Sequence, residues 1–177
     1  MFEDYIQDSF SFYTLAIEAA NEDERRARMY YRAAVFCAAS SLEAFVNFIG
    51  DTFEKGQNLD KIEASFLNDK VLEIASSKGT IESRTKYNSV DNKIKFILKR
   101  FEVPIDLGSS LIWTHFQNFK ELRDNLVHPR LGSDDISLDA YSVAIRDGLN
   151  ANIDLMNQIS QTLFAKPLRK NLIDMKL

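Results

Sequence analysis

The chain of 177 residues has one cysteine, two histidines, three prolines and six glycines. The single Cys37 excludes an internal disulfide, and its place in an apolar helical run makes it a small buried hydrophobe. One Cys and two His are too few for a zinc site of the usual spacing, so no metal site is expected. There is no Gly-rich phosphate loop, no Gly-x-Ser-x-Gly elbow and no Cys-His pairing of known spacing, and no cofactor is expected. So little Gly and Pro leaves few turns, which favours long helices over many short strands. Positive charge is in deficit too: the net charge is -4 and the pI about 5.3. A domain that holds nucleic acid by bulk electrostatics usually has a pI above about 9, so any RNA contact must be local or transient. No uninterrupted run reaches the ~18 apolar residues of a membrane span. The opening Met-Phe-Glu-Asp-Tyr5 lacks the basic region of a secretory leader. A cytoplasmic protein without a membrane partner is expected.

What is present is apolar bulk. Apolar residues make up 45% of the chain, with thirteen Phe and six Tyr, enough to build one core. The length fits a single domain over residues 1–177. Tyr5, Ile6, Phe10, Phe12, Tyr13, Ala16, Ile17 and Ala20 recur mostly at three- and four-residue intervals, predicting a first helix from Tyr5 to Ala20. The stretch from Glu24 to Ile49 is apolar over most of a helical circumference and should sit centrally. Its first turns carry Arg25, Arg26, Arg28 and Arg32, which read as a solvated cluster. Gly50 to Leu59 reads as a connection, and Asp60 to Ser76 as one or two short helices stopped at Ser77-Lys-Gly79. After a polar segment from Thr80 to Asn88, a helix over Ser89–Phe101 ends before Pro104. The next runs from Leu107 to Val127 with Ser109 or Ser110 as N-cap, and Pro129 disfavours helical geometry at His128. A loop from Arg130 to Ile136 leads to a last helix over Ser137–Phe164, closed by Pro167. The fold class is all-α: a helical bundle of four to five long antiparallel helices with shorter inserted helices.

Chemistry concentrates in Glu121-Leu-Arg-Asp-Asn-Leu-Val-His-Pro129. Arg123 and His128 are five residues apart, so on an ideal helix their directions differ by about 140° and their Cα atoms by about 7.5 Å along the axis. They do not share a face automatically, but the helix ends at His128 and arginine is long; a symmetric dimer can instead pair them from two chains. Asp124 lies four residues before His128, where a carboxylate can hold a ring nitrogen and fix its tautomer. Asn125 adds a donor and an acceptor, and Lys120 and Arg130 add positive charge. At an RNA phosphate, His128 can move the 2′-hydroxyl or leaving-group proton while Arg123 stabilises charge on the phosphoryl group, with no metal. A structural alternative stands beside this one. Arg123 can pair with a bundle carboxylate, and His128 can satisfy the last carbonyls of its helix. The second histidine, His115, reads as a surface or packed residue.

Leu122-Arg-Asp-Asn-Leu-Val-His-Pro129 resembles the motif of the HEPN superfamily of all-α domains: arginine, four to six residues and histidine, with a polar residue after the arginine. Ala39-Ser-Ser-Leu-Glu-Ala-Phe-Val-Asn-Phe-Ile49 is similar to the second helix of several bacterial members, with Glu43 on a small and apolar helix. The order and number of helices extend the resemblance over about Tyr5 to Phe164. The resemblance implies a helical bundle that dimerises with both motifs in one cleft, and in active members a metal-independent endoribonuclease. Arg123 and His128 would be catalytic, with Asp124 and Asn125 in support. Glu43 is a weaker supporting candidate, expected to be paired, with Arg123 one choice of partner. Other members are binding or scaffolding modules, some beside an antitoxin, so RNA, a second copy of the chain or a protein such as an antitoxin are the expected partners. Between Arg84 and Arg100, Lys93, Lys95, Lys99 and Arg100 form a basic stretch that usually reads as a solvated helix face and that could guide RNA into the cleft.

Overall fold

Several helices begin at residues whose side chains accept their own first-turn N–H groups. The computed structural model describes residues 1–56, 58–75, 79–128 and 136–177, and among these the chain is mostly helical. The elements are α1 (Phe2–Ala19), α2 (Glu24–Lys55), α3 (Lys61–Leu67), β1 (Lys70–Ala75), β2 (Thr80–Thr85), α4 (Val90–Arg100), α5 (Leu111–Val127), α6 (Leu138–Phe164) and α7 (Lys170–Ile173). Asp23 caps α2 through the Arg26 N–H at 3.0 Å. Asp60 and Glu63 form a capping box on α3. Ser110 caps α5 and Ser137 caps α6. Ser109 instead donates to Asp106, so α5 starts at Leu111 rather than Leu107.

Two further expectations are corrected. The second helix does not stop at Gly50 but continues to Lys55. Glycine inside it has a packing reason: a Cβ at position 50 would meet Asn68 Oδ1 at 2.5 Å and Leu67 Cβ at 3.2 Å, so the missing side chain lets the end of α3 pass close. The segment read as one or two short helices is helical only to Leu67, after which β1 and β2 pair antiparallel from Lys70 opposite Thr85 to Ala75 opposite Thr80. Short apolar runs such as Val71-Leu-Glu-Ile74 fit either period, and here β-branched residues and Gly79 at φ 64° carry the choice to a hairpin. Of the proposed stop signal, residues 77 and 78 lie outside the described residues, as do 130–135 of the proposed loop. The short helix α7 after α6 was not foreseen.

Asp69 holds both ends of the hairpin. Its backbone is left-handed at φ 55°, a conformation Asp tolerates better than most residues. Its carbonyl accepts from the Lys86 N–H, one carboxylate oxygen from the Asn88 N–H and the other from Lys93 Nζ at 2.7 Å. This ties the chain before β1 to the chain after β2 and to the first turn of α4.

The long α2 is the centre of the arrangement and touches α1, α3, α4, α5 and α6. Ala34, Val35, Ala38, Leu42, Phe45, Val46 and Ile49 are almost or fully inaccessible along it. An 18-residue window of α2 reaches a mean hydropathy of 1.5, so by length and composition alone it could cross a membrane; half of that window is buried inside the fold. In α1 the core positions are Ile6, Ser9, Ala16 and Ala19, whereas Ile17 points outward. Ser9 is buried at no cost in hydrogen bonding, since its hydroxyl donates to the Ala34 carbonyl at 2.9 Å.

Helices α5 and α6 meet where Gly148 faces Phe119, and a Cβ at 148 would collide with the Cβ, Cγ and Cδ2 of that ring. Rotation of Phe119 cannot clear its own Cβ. Gly148→Ala is therefore expected to lower stability by about 1–3 kcal/mol, despite alanine's better helix propensity. Urea unfolding of the variant measures the loss, and an unchanged or raised midpoint would refute the close packing.

Candidate functional site

The last two turns of α5 carry Lys120, Arg123 and Asp124 toward α2. Lys120 Nζ meets Asp124 Oδ2 at 2.9 Å, an i,i+4 pair on the helix surface. Arg123 Nη1 donates to Asp124 Oδ1 at 3.1 Å, and Arg123 Nη2 lies 3.5 Å from Glu43 Oε1 across the gap to α2. Arginine has five N–H donors, so these contacts steady the guanidinium without exhausting it. The Glu43 and Arg123 side chains are 49% and 34% exposed, which places their pair at the surface and within reach of a ligand.

His128 is the C-cap residue of α5, with φ -124° and ψ 66°, and its N–H donates to the Asp124 carbonyl at 2.9 Å. The residue is exposed. Among the described residues its imidazole takes part in no hydrogen bond. The side chain of Asp124, which the spacing assigned to orienting the His128 ring, is occupied by Lys120 and Arg123 instead. The link between Asp124 and His128 is through the backbone. Asn125 is half-buried beside them, and Arg130 lies outside the described residues.

Burial by itself would raise the pKa of Asp124, but hydrogen bonds and charge from Lys120 and Arg123 outweigh it and hold the carboxyl below its ordinary value. The same contact, through the hydrogen bond to Asp124, holds the Lys120 ammonium above its ordinary value. A depressed carboxylate stabilises the fold above its unfolded pKa, near pH 4, and the contribution is lost as pH falls through the folded value. Asp124→Asn is thus expected to flatten the fall in stability below about pH 4. Urea midpoints at pH 2–7 for both proteins check this, and parallel curves would contradict it.

The basic stretch divides. Lys93 is 4% exposed and bound to Asp69, with Asn47 Oδ1 at 3.5 Å, so it cannot offer its charge to a passing RNA strand, contrary to expectation. It was misread because its partner lies 24 residues earlier in the chain. Lys95 reaches Asp91 at 3.3 Å and lies over the Trp113 ring, and Arg100 bonds Glu63 at 2.6 Å. Lys99 is exposed. In the arginine cluster of α2, Arg26 pairs with Glu22 and Arg28 with Glu24, as a solvated face would. Cys37 is half-buried rather than buried, and burial pushes its thiol pKa up. His115 is half-buried on α5.

Between α2, α5 and the start of α4 opens a cavity of about 460 Å³. Leu42, Val46, Phe116 and Phe119 give it apolar walls, and Glu43, Lys120, Arg123 and Asp124 stand along it. The pair Lys93–Asp69 forms another part of the wall. Asn152 of α6 also lines it. That residue is fully inaccessible; its Nδ2 donates to the Ala38 carbonyl at 3.1 Å, and its Oδ1 is buried without a hydrogen-bond partner. Sequence reasoning passed over Asn152, although an asparagine three residues after Leu149 and four before Met156 stands on the core stripe of its helix. His128 does not line the cavity. Among the described residues no group of three or more His, Cys, Asp or Glu could hold a metal ion. No family model, no curated protein and no solved structure matches this chain.

Proposed function

We propose that the chain is a metal-independent endoribonuclease of HEPN type, a cytoplasmic helical bundle of long antiparallel helices that works as a homodimer with the Arg-His motifs in a shared cleft. A role as a toxin or defence component, restrained by an antitoxin-like protein, fits this reading. The observation that carries it is the end of α5, where an exposed imidazole follows a guanidinium that two carboxylates steady while leaving donors open. His128 takes the proton of a 2′-hydroxyl; the 2′-oxygen then attacks the adjacent phosphorus and the bond to the 5′-oxygen breaks. Arg123 holds the phosphoryl oxygens as charge gathers on them. A second copy of His128, across the cleft, returns a proton to the leaving 5′-oxygen, which gives the dimer a chemical purpose. The products are a 2′,3′-cyclic phosphate and a 5′-hydroxyl.

A second reading has its own support. The ion pairs of Arg123 with Glu43 and Asp124 also suit a non-catalytic interaction or nucleotide-binding module in which the arginine braces the helices. Incubating a mixed RNA pool in EDTA with the wild type and with His128→Ala, purified side by side, separates the two. Cleavage confined to the wild type and ending in cyclic phosphate is expected for the enzyme. Equal cleavage by both proteins rejects this site, and cleavage by neither favours the module.

A further inference from the structure

Asn152 presents a chemical demand that the protein itself leaves unmet. Its amide cannot be turned round, because the Ala38 carbonyl that Nδ2 contacts is an acceptor and would repel the oxygen. The unpaired Oδ1 therefore stays a buried acceptor, in a residue that lines a cavity whose 460 Å³ lies within the range of small-molecule sites. A buried acceptor with no donor is costly, and a site that keeps one is suited to a ligand that brings the donor.

The charges narrow the ligand further. Three cationic and three anionic side chains line the cavity, and each has an opposite partner: Lys93 with Asp69, Lys120 with Asp124, and Arg123 with Glu43 and Asp124. A charged ligand would compete with these partners, whereas a neutral one leaves the pairs as they are. Of the remaining wall, Leu42, Val46, Phe116 and Phe119 form an apolar, partly aromatic side, and Asn47, Tyr87, Asn88 and Ser89 add neutral polar groups.

We propose that this cavity is a binding site for an uncharged ring compound bearing an amide or imide N–H, which donates to Asn152 Oδ1 while its ring lies against the apolar wall. The assignment is independent of RNA cleavage, since it needs neither His128 nor a second protomer. It predicts discrimination between near-isosteres: a ring carboxamide binds, and the corresponding carboxylate, which has lost the donor and gained a charge, binds at least tenfold more weakly.

The test is a titration of the full chain, labelled with ¹⁵N, with nicotinamide, benzamide, uracil and uridine, and with nicotinate and benzoate as carboxylate counterparts. Saturable shifts of the Asn152 side-chain amide signals by at least one neutral compound, and at least tenfold weaker response to its carboxylate counterpart where one exists, are expected. Asn152→Leu should weaken binding at least tenfold while the protein remains as stable or becomes more so, because it removes the orphaned acceptor. Should that variant fail to fold, Val90→Phe, at the half-exposed start of α4, narrows the cavity and should weaken the same compounds. The assignment is overturned if none of the neutral compounds shifts Asn152, as for a cavity that holds only water, if the carboxylates bind equally well, or if binding survives in the folded variants.

Discussion

For the proposed ribonuclease, Arg123→Ala is expected to slow RNA cleavage by about 10²–10³-fold, the usual consequence of removing one donor aimed at developing charge. The fold should survive, because the side chain is 34% exposed and its partners Glu43 and Asp124 are 49% and 39% exposed, so no carboxylate is left buried alone. Arg123→Lys distinguishes charge from geometry. An ammonium keeps the positive charge but not the planar fork that grips two phosphoryl oxygens, so it should recover only part of the rate. Single-turnover cleavage in EDTA measures both variants. If Arg123→Ala cuts as fast as the wild type, the guanidinium has no part in the chemistry and the bracing role is the correct one.

Asp69→Asn should be the most damaging near-isosteric change in the fold. Asparagine accepts the left-handed backbone at this position and can still receive the Asn88 N–H, but it leaves the Lys93 ammonium, with a side chain only 5% exposed, without its carboxylate. Breaking a fully buried pair costs about 3–5 kcal/mol, and with Asp69 a quarter exposed a loss of about 2–3 kcal/mol is expected. Adding Lys93→Met removes the stranded charge and should restore most of the stability, since apolar replacements of buried pairs are often neutral or better. Urea unfolding of the single and double variants decides. A double variant no more stable than Asp69→Asn would locate the cost in the hairpin clamp rather than in the buried ammonium.

The long helices were legible because their apolar positions repeat over many turns, whereas the start of α5 was read four residues early although Ser110, its cap, was one of two candidates. The hairpin was not, because six-residue strands give too few positions to separate one period from another, and Asp69 fixes their register through partners on both sides of them. At the candidate site, Arg123 and His128 stand out by their setting at the end of a helix rather than by bare spacing, and the nearness of Glu43 to Arg123 follows from the packing of α2 against α5. The state of Asn152 is invisible in sequence. Its one side-chain hydrogen bond goes to Ala38, 114 residues away, and whether the other half of the amide is satisfied depends on the intervening fold. Lys93 was misjudged for a similar reason: a lysine on a basic stretch looks solvated until the loop that buries it is placed.

The central position of α2 also sets an order of assembly. Its 32 residues span about 48 Å, and its most extensive partner, α1, is joined to it by residues 20–23 alone. Closing so short a connection costs little chain entropy, whereas bringing α6 onto α2 closes a loop of more than a hundred residues. During synthesis α1 and α2 can pair while α5 and α6 have yet to emerge. The cavity between α2 and α5 therefore acquires its walls late, and Asn152 meets its carbonyl only when most of the protein is already in place.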